Sequence, residues 1–433
     1  MDRWSLGAVE KLAPDPSSLA AARKLATPGP WSDTGSTDTL VWGKCQGSGR
    51  TPYQVSVDLA APAYRCSCPS RKFPCKHALA LLLLWVRSDG AIADVAEAAD
   101  FAAAWASERA DRAASAAAKA AAPATEVDPE ARARRIEERR ATMSAGLDDF
   151  ARWLADLVRG GLAGARRHPW AWWDATAARL VDAQLPGLAE QLRDMAGHVS
   201  GRDDWSEHLL VEAGRWWTAV QAWRRWDLLD DDTRADLRVF LGWAQAREEV
   251  VGRGTVAGPW QVLGAHRSDD GRLQQQRTWL RHLTSGETVQ VLDFAAARQP
   301  LPVAQLVGSV LEAEIARYPG HGPRRATFAS PPQAVAQGAT LPSGGTLTEA
   351  LDLLAEVWAA NPWGQRVPVT VTGALLPRAG SRPARIVDID GHTLPLLLDD
   401  DWDLLARTGG HPTTVFGELE AAGFRPLTAA EVA

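Results

Sequence analysis

Three of the four cysteines in this 433-residue chain fall within ten residues and close on a histidine, in the order Cys66, Cys68, Cys75, His77. The C-x-C-x6-C-x-H spacing supplies three sulfurs and one imidazole nitrogen. That is the tetrahedral donor set of a closed structural zinc site, with no coordination position left for water. A tight turn can bring Cys66 and Cys68 to one ion, and Pro69 and Pro74 suit the intervening loop to returning the chain to it. Disulfides are the competing chemistry, but Met1–Ala20 carries acids and prolines in place of the apolar segment of a secretory leader. Cys45 stands apart upstream and reads as a strand residue instead of a fifth ligand.

The elements around the quartet explain how it would be positioned. Tyr53–Leu59 alternates apolar and polar residues, the period of a half-buried strand, and Leu40–Lys44 is a partner for it. Ala78–Val86 consists largely of good helix formers, so Cys75 and His77 sit where a helix begins. In this order of strands, Cys-x-Cys, short loop, Cys-x-His and apolar helix, residues 36–90 resemble the SWIM zinc finger. The segment CSCPSRKFPCKHALALLLLW fits that family's pattern at every metal position. The resemblance implies a small ββα-type fold with Cys66, Cys68, Cys75 and His77 as ligands of a structural Zn2+. It also implies a DNA-binding or protein-interaction module, as in chromatin remodellers, transposases and many bacterial proteins. Trp4–Thr27 and the sequence after the finger are similar to the bacterial set.

Charge separates the finger from the rest. Lys44, Arg50, Arg65, Arg71, Lys72, Lys76 and Arg87 face Asp58 alone between residues 44 and 87, whereas the whole chain carries −6. Arg71, Lys72 and Lys76 flank the ligands, where cations lower thiol pKa values and where phosphate could also be met. A zinc–thiolate site attracts nearby cations without any nucleic acid, so both readings stand. The acidic remainder disfavours extensive wrapping of a duplex.

Past the finger the expected organisation is α+β and multidomain. After the N-terminal segment and finger (1–90), an Ala/Arg/Glu-rich helical linker spans 91–143, with helix over Ala91–Ala122 and a second start near Pro129. A Trp-rich helical domain follows at 144–253. Leu147, Phe150, Leu154, Leu157 and Val158 mark one buried face, Trp216, Val220 and Trp223 another, with Trp226, Leu229, Leu237, Val239, Phe240 and Trp243 continuing the theme. Residues 254–433 turn to α+β. Trp260–Ala265, Arg272–Leu280, Thr288–Phe294, Val367–Leu376, Ala384–Ile389 and Leu394–Leu398 read as strands. Leu306–Tyr318 is ambiguous between strand and helix, Pro331–Gly345 reads as loop, Thr346–Glu349 as a capping box, and Thr413–Ala422 as a terminal helix.

No set of residues makes a convincing catalytic constellation. His266, Asp269, Asp270 and His282 spread along a hairpin, and Asp388-Ile-Asp-Gly-His392 is first of all turn chemistry. Phosphate loops, dinucleotide fingerprints, nucleophile elbows and H-E-x-x-H motifs do not occur. The longest apolar run, Ala78–Val86, is about half of what spans a bilayer. The reading is therefore a cytoplasmic zinc-binding protein whose finger docks other proteins, with no membrane partner. Nucleic-acid binding through Arg71, Lys72 and Lys76 is the alternative, and an enzyme or ligand site in the C-terminal domain the second.

Overall fold

The computed structural model describes residues 3–430 apart from 5, 11, 14–15, 48, 50, 60–62, 69, 71–73, 88–89, 122–128, 244, 270–272, 297–300, 302–304, 381 and 399–401. It begins with two helices, α1 (Leu6–Glu10) and α2 (Pro16–Leu25), followed by four strands: β1 (Trp31–Ser36), β2 (Leu40–Cys45), β3 (Tyr53–Asp58) and β4 (Ala63–Cys66). These strands form one antiparallel sheet in sequence order. The expected strand pair is thus the centre of a four-stranded sheet. Helix α3 (Lys76–Arg87) packs on it.

Helix α3 has an unusual demand on its surroundings. Every residue from His77 to Trp85 is buried, so unlike an amphipathic helix with one hidden stripe it must be covered all round. Sheet residues Val41, Val55 and Val57 cover one side, and Val9 of α1, Ala22 of α2 and Ala26 just after it join the same core. Trp4 meets Trp85 edge-on at 6.0 Å, and Arg3 donates to the Trp85 carbonyl and to Asp94.

The helix expected over Ala91–Ala122 is α4 (Asp100–Ala121), starting later because Asp94 bridges back to Ser36. Its Ala102 and Trp105 pack against Leu40, Trp42 and Ala63 of the sheet. Helix α5 (Pro129–Arg159) runs without interruption into a bundle with α6 (Trp170–Asp182), α7 (Pro186–Gly201), α8 (Trp205–Arg224) and α9 (Asp231–Leu241). Leu147, Phe150, Leu154 and Leu157 share its core with Trp173, Trp216 and Trp223. Two of these buried indoles have their donors satisfied: Trp216 Nε1 donates to Gln191 and Trp223 Nε1 to Ser144, each at 2.9 Å. Val158 and Val239, placed with buried faces by periodicity, are exposed instead. Both sit on the outward side of helices whose inner stripe is already filled.

After α10 (Arg247–Val251), six strands follow: β5 (Val256–Asp269), β6 (Leu273–His282), β7 (Thr288–Ala296), β8 (Val310–Arg317), β9 (Arg324–Phe328) and β10 (Gln333–Ala336). Because β9 pairs with both β7 and β8, five of them close on themselves around Trp260, Val262, Leu280, Val291, Leu311 and Ile315. The ambiguous Leu306–Tyr318 segment is therefore strand, and the loop expected over Pro331–Gly345 contains β10.

Helix α11 (Leu347–Ala360) opens with the expected capping box, Thr346 and Glu349 bonding reciprocally. It packs on a last sheet of β11 (Val367–Leu376), β12 (Arg385–Val387), β13 (Thr393–Pro395), β14 (Thr413–Glu420) and β15 (Gly423–Ala429), with α12 (Trp402–Thr408) beside it. The terminal helix read over Thr413–Ala422 is wrong: the segment is strand β14, hairpinned to β15. Its Thr-Thr-Val-Phe start favours strand. Gly417 also allows the β15 backbone to come so close that a Cβ there would overlap the Arg425 carbonyl.

Candidate zinc centre

Each of the four donors is placed by a different local constraint. Cys66 ends β4, in register with Val55. Ser67 turns the chain by donating its N–H to the Gln54 carbonyl and accepting the Gln54 N–H at its hydroxyl, both at 3.0 Å. That places Cys68 just beyond the sheet edge. Cys75 precedes α3, its carbonyl accepting the Leu79 N–H at 3.1 Å, and His77 lies in the helix's first turn. Cys75 and His77 are buried, Cys66 and Cys68 half-buried.

One donor atom from each residue lies within 4.8 Å of all the others. The Cys66 and Cys75 sulfurs are 3.8 and 4.0 Å from His77 Nδ1. Tetrahedral zinc with ordinary metal–sulfur and metal–nitrogen bonds has donor–donor edges of about 3.5–3.8 Å. The cage therefore fits zinc in donor type, number and size, with His77 binding through Nδ1. Tyr53 lies against the other side of the imidazole, ring centroids 4.9 Å apart. Cys45, buried at the end of β2, stays outside the cluster, and burial pushes its thiol pKa up.

The electrostatics favour a thiolate where the helix starts. The Cys66 thiol donates to Cys75, and His77 and the Ala78 N–H add to it against the cost of burial. Together they bring Cys75 down to about 4. Cys66, the donor in that shared bond and itself buried, is held protonated well above its ordinary value. A bound zinc ion would supply the charge that makes all three sulfurs thiolates. The donor set is closed, so the metal's contribution is structural.

With this geometry in view, the family comparison is decisive for the finger: the model of the SWIM zinc finger matches residues 53–85. The chain carries a SWIM zinc finger. Residues 138–241 match the SWIM-associated four-helix bundle domain, which covers the end of α5 through α9. No curated protein and no solved structure matches the chain.

The remaining candidates around the SWIM finger are placed as follows. Lys76 is exposed at the first position of α3, while Arg71 and Lys72 lie outside the described residues. Other cations of the basic segment are engaged within the chain. Lys44 pairs with Asp33 at 2.7 Å, Arg65 with Glu108 at 3.5 Å, and Arg87 donates to the Ala26 carbonyl at 2.6 Å.

Among the described residues, only one other group of three metal-capable side chains occurs, Asp388, Asp390 and His392. Asp388 there ties a turn to α11, accepting the N–H groups of Asp390, His392 and Leu347. His266 and His282 belong to no such cluster. Burial, with Arg277 across the strand pair, brings His266 down to about 4. His282 bonds Ser285 within its own turn at 2.9 Å. Asp269 is exposed near the end of β5, and Asp270 lies outside the described residues.

One polar site escaped sequence reasoning. Glu418 of β14, fully buried, accepts two hydrogen bonds from Arg277 of β6 (2.9 and 2.8 Å) and one from Trp279 Nε1 (2.9 Å). It fastens the last sheet to the closed strands beside Leu263 and Phe416. Partners about 140 residues apart leave no local signal.

Proposed function

We propose that the chain is a docking protein, in which zinc sets the surface of an N-terminal domain that binds other proteins. The observation that carries this reading is the burial of α3 from His77 to Trp85. A helix covered by the sheet on one side and by α1 and α2 on the other has no face to lay in a DNA groove. Beside the cage, the described residues that remain accessible are Ser67, Ser70 and Lys76. The engagement of Lys44, Arg65 and Arg87 within the chain further reduces the charge available to a polyanion. Thiolate ligands need a reducing compartment, and the reading places the protein in the cytoplasm. No helix among the described residues is long and apolar enough to cross a membrane.

The test compares proteins captured by the intact chain and by its Cys68→Ser variant. Loss of specific partners with the variant, while zinc-independent contacts of the bundle persist, is the expected result. A variant that keeps every partner refutes the reading. A mobility shift of duplex or single strands at low salt, weakened by Lys76→Ala, would instead support the nucleic-acid alternative.

A further inference from the structure

The core around α3 is not built from N-terminal residues alone. Among the described residues, every member of it lies at or before Ile92 except Leu306, which sits between β7 and β8 and is 7% exposed. The zinc ligands belong to the same core: Cys75 is one of its buried members, and Cys66 and Cys68 pack against it.

The turn that carries Leu306 is held by the closed strands and not by the finger. The Leu306 carbonyl accepts the Ser309 N–H at 3.1 Å and the Ser309 hydroxyl at 2.6 Å. Gly308 takes a φ of +80°, which glycine adopts without strain. Its N–H donates to the Val262 carbonyl of β5, its carbonyl accepts the Ala339 N–H, and the Val262 N–H returns to the Ser309 carbonyl, each at 2.9 Å. Leu306 is thus a fixed peg on one unit of the chain, seated in the core of another. A second tie runs beside the cage. Tyr64, buried on β4 two residues before Cys66 and so on the same side of the sheet, feels the charge of Arg267 of β5. Arg267 Nε in turn donates to Gln276 of β6 at 2.7 Å.

We infer that zinc in the finger controls the docking of the closed strands through Leu306. Without the ion, nothing holds Cys66 and Cys68 at the sheet edge to Cys75 and His77 at the start of α3, and the core that seats Leu306 loosens. The leucine then loses the burial that keeps the turn in place. Linkage makes the coupling reciprocal: docking of Leu306 raises zinc affinity by the factor by which zinc favours docking. The inference holds whether or not the finger binds other proteins.

Two measurements on the full chain test it. Hydrogen exchange with zinc bound and after chelation reads the Gly308 and Ser309 amides, which should lose protection about tenfold on chelation while the α6 and α7 amides stay unchanged. Competition with a colorimetric chelator reads zinc affinity. Leu306→Ala should weaken it about tenfold, and Leu306→Met by less than about twofold, because methionine refills the seat. Turn amides equally protected with and without the ion overturn the inference. So does a Leu306→Ala chain that binds zinc as tightly as the native one, or a Leu306→Met chain weakened as much as Leu306→Ala.

Discussion

Replacing Glu418 by Gln changes one oxygen to an amide nitrogen and removes the charge on which a buried arginine depends. In the native protein the Arg277 side chain is 5% exposed and gives two charge-assisted hydrogen bonds to the carboxylate. Trp279 adds a third, and Arg366 stands 3.9 Å away. The amide retains one acceptor and turns an N–H donor toward donors, while Arg277 has little access to water. An uncompensated buried cation costs about 3–5 kcal/mol, against under about 1 kcal/mol for an exposed pair.

Replacing both partners, Arg277→Met with Glu418→Leu, removes the unpaired charge. It should leave the junction at least about 2 kcal/mol more stable than Glu418→Gln alone. A chain of this size does not unfold in one step, so the assay is hydrogen exchange in urea, followed at the β6 and β14 amides. A single variant within about 1 kcal/mol of wild type, or a double variant worse than the single, would refute the reasoning.

The pH dependence has a defined sign. Burial opposes ionisation of Glu418, but Arg277's hydrogen bonds and charge, with Trp279 and Arg366, hold its carboxyl below the ordinary 4.5. The stabilisation is complete above that value and is lost as pH falls through the lowered folded pKa. Glu418 should thus leave exchange protection at this junction unchanged from pH 7 to 5, once intrinsic exchange rates are removed. His266 beside it, brought down to about 4, should instead take protection away as pH falls below its ordinary 6.5.

Further perturbations separate metal, packing and capping. Cys75→Ser in the full chain should take zinc content from one ion per chain to well below it and strip protection from the first turn of α3. The bundle should be unaffected, and stoichiometric zinc by elemental analysis would falsify the ligand assignment. Gly187→Ala places a methyl 2.5 Å from the Phe240 carbonyl oxygen, which should cost the bundle about 1–3 kcal/mol in thermal unfolding. Gly214→Ala, into open space, should stabilise it by up to about 1 kcal/mol. Thr346→Ala removes the α11 cap and should cost about 1 kcal/mol at the last sheet, measured by the same exchange method.

What could be read from the chain followed the distance over which its information acts. Cys66 to His77 lie within twelve residues, so donor types and spacing carried the zinc site without tertiary knowledge. The strand pair, the helix after Cys75 and the box at Thr346 were equally local. Periodicity overreached at Val158 and Val239, because a stripe pattern does not say how wide the covered stripe is. At Thr413–Ala422, helix-forming Leu-Glu-Ala-Ala masked a strand set by pairing with residues that follow it. The unbroken apolar run Ala78–Val86 held the signal that α3 is covered on every side. What covers it, two short helices at the N-terminus, was not evident from the run itself.

The encasement of α3 bears on how this finger can be inherited and engineered. The segment matching the family, residues 53–85, contains every ligand but only part of the walls around its helix. Transplanted alone it would keep the cage yet bare a leucine-lined flank, inviting self-association. The portable unit is larger than the motif. It must begin upstream, with the residues that shelter Leu79 to Leu84.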